Sequence, residues 1–555
     1  MEIDKAALKE RIERLMLDFV AVKTDTNSAF ENNIQDFFAG WFDRAPYFKA
    51  NKGFCGLFDI HGDHLGRVVP WALVKGRGDD TVILIHHCDT VNTEDYKDLA
   101  DLALEPPKVT AALKDVNLPP HVRRDLDSGN WLFGRGVADM KGGGAMHMAL
   151  MEVYAKQAEK TGFDGNVLLL SLVDEENLSA GMIGAVGLLK ELKTKFGLNY
   201  VLTIDSESHE RERDDCAVYY DGSIGKMMPV VYVRGVLAHT GMIYKGLNPI
   251  NLLAEIIRRT ELNSDFIEKF GNSACPPPTW LFHKDSKEVY DVSLPDASLG
   301  YMSVLTLSKT PKEIMEKIQK ISFEAFERVI ADMKASHARW ADLNQGDVEP
   351  LPPWKPNVKT FSRLYDEAVR DFGEEFVTAF KKLNEEIHTK LLEGKDFTTI
   401  DGINEMIKTT LSFVKDKSPV VVLALSPPYY PAVNNAMIGE KSAKINQIVA
   451  KLQENPEFCC QIKNIYTGIS DLSYSMFISD DDAITYIKEN MLMWGSVYSI
   501  PLELIKELTT PILNIGPWGK DIHKYTERVF LPDLYYKSPE VTDFVIRQIL
   551  GGYYD

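Results

Sequence analysis

The stretch Val167–Met182, VLLLSLVDEENLSAGM, sets seven mostly apolar residues directly before three consecutive acids, Asp174, Glu175 and Glu176. An unbroken run of aliphatic and branched side chains predicts a strand buried on both faces, the kind that occurs in parallel sheets. Adjacent carboxylates at the end of such a strand repel one another, and a proton or a cation must compensate them if the site is buried. One short stretch thus points to an α/β sheet and to a charged site at its edge.

Outward from that stretch, TVILIHHCDTVN (Thr81–Asn92), YVLTIDSES (Tyr200–Ser208) and PILNI (Pro511–Ile515) repeat the apolar run, while AMHMALMEVYAK and AVGLLKELKTKF between them carry helical spacing. Strands alternating with helices predict a central mixed, mostly parallel sheet covered by helices. In open sheets of this kind, functional groups gather beyond the carboxyl ends of the strands. His87 and Asp89 are two apart and share a side if the strand continues, while His86 points away. A metal-bound imidazole usually donates its other ring nitrogen to a carboxylate, so Asp89 is the natural partner of His87. GRGVADMKGGGAMHMAL brings Asp139 into a glycine-rich turn before a helix, without the GxxxxGK[ST] spacing of a phosphate loop. Asp205 ends another apolar run, and His523 follows PILNI in GPWGKDIHKYTERV. Two histidines and several carboxylates without sulfur suit paired zinc, manganese or cobalt ions. One further carboxylate must stay off the metals to take the proton of a water.

Length and charge narrow the class. A chain of 555 residues exceeds a single core, and 62 basic against 81 acidic residues leave a net charge of −19, which repels phosphate backbones and anionic headgroups. Nucleic acid and membrane surfaces are therefore not expected partners. The N-terminal residues show amphipathic helical spacing at Leu8, Ile12, Leu15 and Phe19 and no secretory pattern. No window approaches the roughly 18 apolar residues of a membrane span. Six cysteines without CxxC spacing fit reduced thiols in a cytoplasmic protein. Residues 1–225 and 418–555 read as two parts of one α/β domain. Residues 226–340 follow a β, α, β, α order that predicts an inserted α+β domain, and 341–417, opened by PLPPWKPN, predict a helical insertion.

The ordered set HxDxV at His87–Val91, GRGxxDMKGG at Gly134–Gly143, DEE at Asp174–Glu176, the strand-end acid Asp205 and GxxxxxxH at Gly516–His523 resembles the M20 family of metal-dependent peptidases and aminoacylases. The resemblance covers roughly residues 1–335 and 418–555 and implies a zinc-dependent exopeptidase-like fold whose inserted domain acts as a lid and dimerisation domain. It implies two divalent ions, zinc first with cobalt or manganese as alternatives: His87 and Asp205 on one, Glu176 and His523 on the other, Asp139 between them. Glu175 would be the general base acting on a water shared by the metals, with Asp89 behind His87. GISDLSYS, with Gly468 and Asp471, is similar to the family's late glycine-and-aspartate turn. RGVLAHTGMIYKGLNPI is similar to its lid signature, which implies that His239 contributes to the oxyanion site and that Asn248 lines the same wall. The length, the DEENLSAGM variant and the helical insertion look most like the arginine-utilization subgroup. In GYMSVLTLSKTPKEI, Thr306 and Leu307 stand where many members carry a substrate-binding arginine. The implied activity is hydrolysis of an amide bond in a small peptide or N-acylated amino acid by a homodimer paired through the lid. The competing readings are an inactive M20-like binding or regulatory protein and a two-metal phosphoesterase, the latter disfavoured by the acidic balance and the lack of a basic clamp.

Overall fold

Strand Arg77–His87 runs parallel to Asp164–Leu172 on one side and to Asn199–Asp205 on the other, and Ile512–Asn514 continues the parallel run beyond Asn199–Asp205. These are the four apolar runs read from the sequence, and they lie together in the middle of an eight-stranded sheet. Val68–Lys75 and Cys55–Asp59 extend it antiparallel at one edge, while Ala217–Tyr220 and Cys460–Lys463 complete the other. The expected mixed sheet is present. Val82, Leu84, Val167, Leu169, Leu202 and Ile204 pack on one side with helices Lys5–Val20 and Lys141–Lys160. Ile83, Ile85, Leu168 and Leu170 are equally buried on the other, which is why the strands show no polar alternation.

The computed structural model describes residues 3–211, 216–271, 273–394 and 397–551. They form two units: Met1–Ile224 with Pro431–Ile478 and Pro501–Asp555, and Gly225–Tyr430 with Ser479–Ile500. The second unit holds a five-stranded sheet ordered Thr279–Asp285, Ala297–Thr306, Gly225–Arg234, Val420–Tyr430, Val358–Thr360. VVVLALSPPYYP, within residues 418–555 read as the second part of the α/β domain, instead pairs antiparallel with Gly225–Arg234, from Val420 opposite Arg234 onward. The boundary placed at 418 therefore moves to Pro431, and Ser479–Ile500 visits the second unit again. An apolar run marks a doubly buried strand but does not state which sheet buries it. Helices Phe361–Phe372, Glu374–Glu393 and Thr399–Ser412 set Leu364, Phe376, Ile403 and Ile407 against Val230, Tyr232, Leu299 and Val422 of this sheet. The helical insertion is thus part of the second unit's own core.

Three buried histidines of the first unit link this packing to pH. His86, on the face of its strand opposite His87, meets the rings of Phe19 and Phe38, and His147 of helix Lys141–Lys160 lies beside it at 5.9 Å between ring centroids. Burial holds His147 and His209 near pKa 3 and His86 well below its ordinary value. The folded chain keeps these rings neutral while the unfolded chain takes up protons below about pH 6.5. Stability present above that pH is therefore lost as pH falls from 6.5 toward 3, at about 1.4 kcal/mol per pH unit for each ring. Thermal melts of His147→Phe between pH 7 and 4.5 are expected to fall less steeply than wild type; equal slopes refute the assignment for this ring.

Candidate metal centre

Asp139 sits in the turn before helix Lys141–Lys160, with its backbone held from the far end of the sequence. Glu527 Oε1 accepts from the amides of Ala138 at 3.2 Å and Asp139 at 3.3 Å, while Glu527 Oε2 receives the buried Arg135 guanidinium at 2.6 Å. Gly143, in the first turn of the helix, lies against the end of a strand: a Cβ there would stand 2.5 Å from Ser206 Oγ and 2.6 Å from its carbonyl oxygen. Held in this way, the Asp139 carboxylate meets two histidines, one on each oxygen. His87 Nε2 lies 2.9 Å from Oδ1, and His523 Nε2 lies 3.0 Å from Oδ2.

The remaining groups surround that clasp. His523 Nε2 is also 2.9 Å from Glu176 Oε1, and His87 Nε2 is 3.7 Å from Glu207 Oε1. Donor atoms of His87, Asp139 and Glu176 all lie within 4.8 Å of one another, as do those of His87, Glu175 and Glu207. Behind them, His87 Nδ1 faces the Asp89 carbonyl at 3.0 Å and Asp89 Oδ1 at 3.6 Å. The same Asp89 carboxylate accepts the Glu175 amide at 3.1 Å and the Glu176 amide at 3.2 Å. One buried aspartate therefore ties the end of one strand to the turn after its neighbour.

Of the residues singled out from sequence, His87, Asp89, Asp139, Glu175, Glu176 and His523 converge. Asp205 departs from expectation: Ser470 Oγ donates to its Oδ2 at 2.6 Å and the Ser206 amide to its Oδ1 at 2.8 Å, and it belongs to neither close group of donor atoms. The acid beside His87 is instead Glu207, two residues further along, which the sequence reading missed. The available signal was the i, i+2 spacing itself, since extended chain points both side chains the same way. Asp174 is the acid of the DEE run that turns away, onto Arg67 at 2.6 Å. Asp471 is buried near the same carboxylates, which help push its own carboxyl well above the usual range after burial itself.

His239 and Asn248 lie in the second unit. His239 is exposed at the start of the short helix Thr240–Lys245, and its Nδ1 accepts the Gly241 amide at 3.1 Å. With Nδ1 accepting, a neutral ring carries its proton on Nε2. Asn248 caps helix Pro249–Thr260 by accepting the Ile250 amide at 3.0 Å. Thr306 and Leu307 are both buried.

The electrostatics fit a cation. Burial, then the neighbouring carboxylates, lift Glu175 and Glu207 well above the ordinary range, Glu176 to about 7 and Asp205 to about 6. Burial also opposes charge on Asp139, but its bonds to His523 and His87 outweigh it and hold the carboxyl low. The same bonds to Asp139 and Glu176 raise His523 to about 10. Among the described residues no lysine or arginine pairs with Asp139, Glu175, Glu176, Asp205, Glu207 or Asp471. Nitrogen and oxygen donors at ligand spacing, with excess buried negative charge, are what divalent zinc, manganese or cobalt requires.

Comparisons with known proteins bear on the family and the fold. The profile of Peptidase family M20/M25/M40 matches residues 83–454. The uncharacterized protein YqjN of Bacillus subtilis is 31% identical, with 98% of this chain and 97% of that protein covered. Protein RocB of the same organism is 27% identical over 98% of this chain and 96% of its own length. In fold, the chain is similar to aminopeptidase PepT of Bacillus cereus, at 14% identity and a TM-score of 0.52 with 98% of each chain covered. Among the described residues no helix is long and apolar enough to cross a membrane. With its motifs in order, its strand ends gathered around Asp139 and a profile match across most of its length, the chain belongs to the M20/M25/M40 peptidase family.

Proposed function

We propose that this hydrolase cleaves the amide bond of a small peptide or N-acylated amino acid, with Glu175 as general base. The observation that supports this most is the division of labour around Asp139: both its oxygens face histidines, Glu176 and Glu207 stand beside those histidines, and Glu175 makes none of the Asp139 contacts. In this reading His87, Glu207 and Asp139 hold one ion, and Glu176, His523 and Asp139 hold the other. Bound there, two divalent ions, most simply zinc, supply Lewis acidity to a carbonyl and acidify a water. Glu175 takes that water's proton and passes it to the leaving nitrogen. Asp89 fixes the His87 ring and both amides of the acidic turn, so that the base and the histidine keep a constant separation. By the resemblance, His239 would contribute to the oxyanion site and Asn248 to the same wall.

Buried Thr306 and Leu307 offer no cation for a free carboxylate, so a substrate without one, or one held elsewhere, suits this chain. Arginine utilization, a cytoplasmic setting and pairing through the second unit follow the resemblance. The test is turnover of dipeptides, N-acyl amino acids and arginine-derived amides by protein of measured metal content. At least one class is expected to be cleaved, with activity abolished by a chelator and restored by zinc, manganese or cobalt. Metal-loaded protein that cleaves none of them points to a binding role, and cleavage of phosphate esters alone to a phosphoesterase.

A further inference from the structure

The acidic turn is anchored a second time, by a residue with no part in the motifs. Arg67 ends the polar loop between strands Cys55–Asp59 and Val68–Lys75 and is 4% exposed. Its Nε and one terminal nitrogen grip Asp63 at 3.0 and 2.7 Å, and the other terminal nitrogen spans Glu31 at 2.9 Å and Asp174 at 2.6 Å. A planar guanidinium can serve three carboxylates at once, which an ammonium cannot do in the same geometry.

Asp174 in turn organises the residues that follow it. Its φ of 65° lies in the left-handed region, so the chain reverses there at a conformational cost that its surroundings must offset. Its carbonyl accepts the amides of Asn177 at 3.2 Å and Ser179 at 2.7 Å, and its carboxylate accepts Asn177 Nδ2 at 3.1 Å and the Ala180 amide at 3.2 Å. Residues 174–180 therefore close around Asp174, and Arg67 fixes Asp174 to the neighbouring hairpin. Asp89 holds the amides of Glu175 and Glu176 from the other side. The turn that carries both glutamates is therefore tied at Asp174 and at the two amides that follow it.

We infer that Arg67 is a positioning residue for the hydrolytic reaction, acting through Asp174 to aim Glu175 and Glu176 at His87 and His523. The inference rests on the roles proposed above for those two glutamates. Removing Arg67 alone strands three buried carboxylates, so Arg67→Met is combined with Glu31→Gln, Asp63→Asn and Asp174→Asn, which removes the tether together with the charges it neutralises. Melting temperature, zinc affinity by competition with a chromophoric chelator, and kcat and KM on the substrate found for wild type are compared. The folded variant is expected to keep KM and to lose about 10–100-fold in zinc affinity, in kcat, or in both. Asp174→Asn alone, which keeps Arg67 paired with Asp63 and Glu31, is expected to show a smaller loss of the same kind, and it decides the matter if the combined variant does not fold. Wild-type zinc affinity and kcat in the folded variant overturn the inference. Should Glu175→Gln retain turnover, the base assignment fails, while zinc affinity still tests Arg67 through Glu176.

Discussion

Glu175→Gln is expected to remain folded and to bind metal as wild type does, while kcat falls by about 10²–10⁴-fold, the usual contribution of a positioned proton acceptor. The substitution keeps the shape of a buried side chain and leaves the backbone amide that Asp89 accepts at 3.1 Å. It removes only the capacity to take a proton. Burial, with Glu207, Asp471 and Glu176 nearby, already pushes this carboxyl well above its ordinary range. Neutral glutamine therefore relieves repulsion, and the metal-free variant should melt no lower than wild type. Metal content by emission spectroscopy, melting temperature and kcat on one substrate form the experiment. Turnover within a few-fold of wild type at full metal content refutes Glu175 as base.

Asp139→Asn is expected to abolish turnover by a different route, through loss of metal. Asp139 presents one oxygen to His87 at 2.9 Å and the other to His523 at 3.0 Å. Asparagine replaces one of those acceptors with an NH2 that cannot share a cation. Wild type should gain stability on zinc addition, by about 4 kcal/mol at a thousandfold excess over the dissociation constant, and the variant should lose most of that gain. Equilibrium dialysis against zinc, with parallel melts, checks both statements. The same assay separates two acids of one segment: Glu207→Gln should lower zinc content, whereas Asp205→Asn, whose carboxylate already receives Ser470 and the Ser206 amide, should not. Full zinc binding by Asp139→Asn removes the shared-ligand reading.

The site residues legible in the sequence are those whose role follows from the strand they end. His87, Glu176 and His523 follow apolar runs, and Asp139 opens a helix after a glycine-rich turn, so local pattern placed each beyond the sheet's edge. Glu207 was hidden because Asp205 stands nearer the strand end, and Asp205 is held by the adjacent Ser206 amide and by the distant Ser470. Such a long-range contact leaves no mark on local periodicity. Arg67 was hidden for the same reason: its polar hairpin shows no spacing that points 107 residues ahead to Asp174. The fate of Val420–Tyr430 was ambiguous in another way, since side chains buried on both faces look alike in either sheet. The central parallel strands, by contrast, each announced themselves by an apolar run.

The Asp139 clasp also sets an order of events during synthesis. One of its histidines is His87 and the other His523, so 435 residues, with every residue of the second unit among them, are translated between the two. At roughly 5–20 residues per second, about 20 to 90 s pass on the ribosome between the synthesis of His87 and that of its counterpart across Asp139. The nascent chain carries Asp139 and Glu176 without that histidine until then, and the clasp can close only after the second unit has been translated.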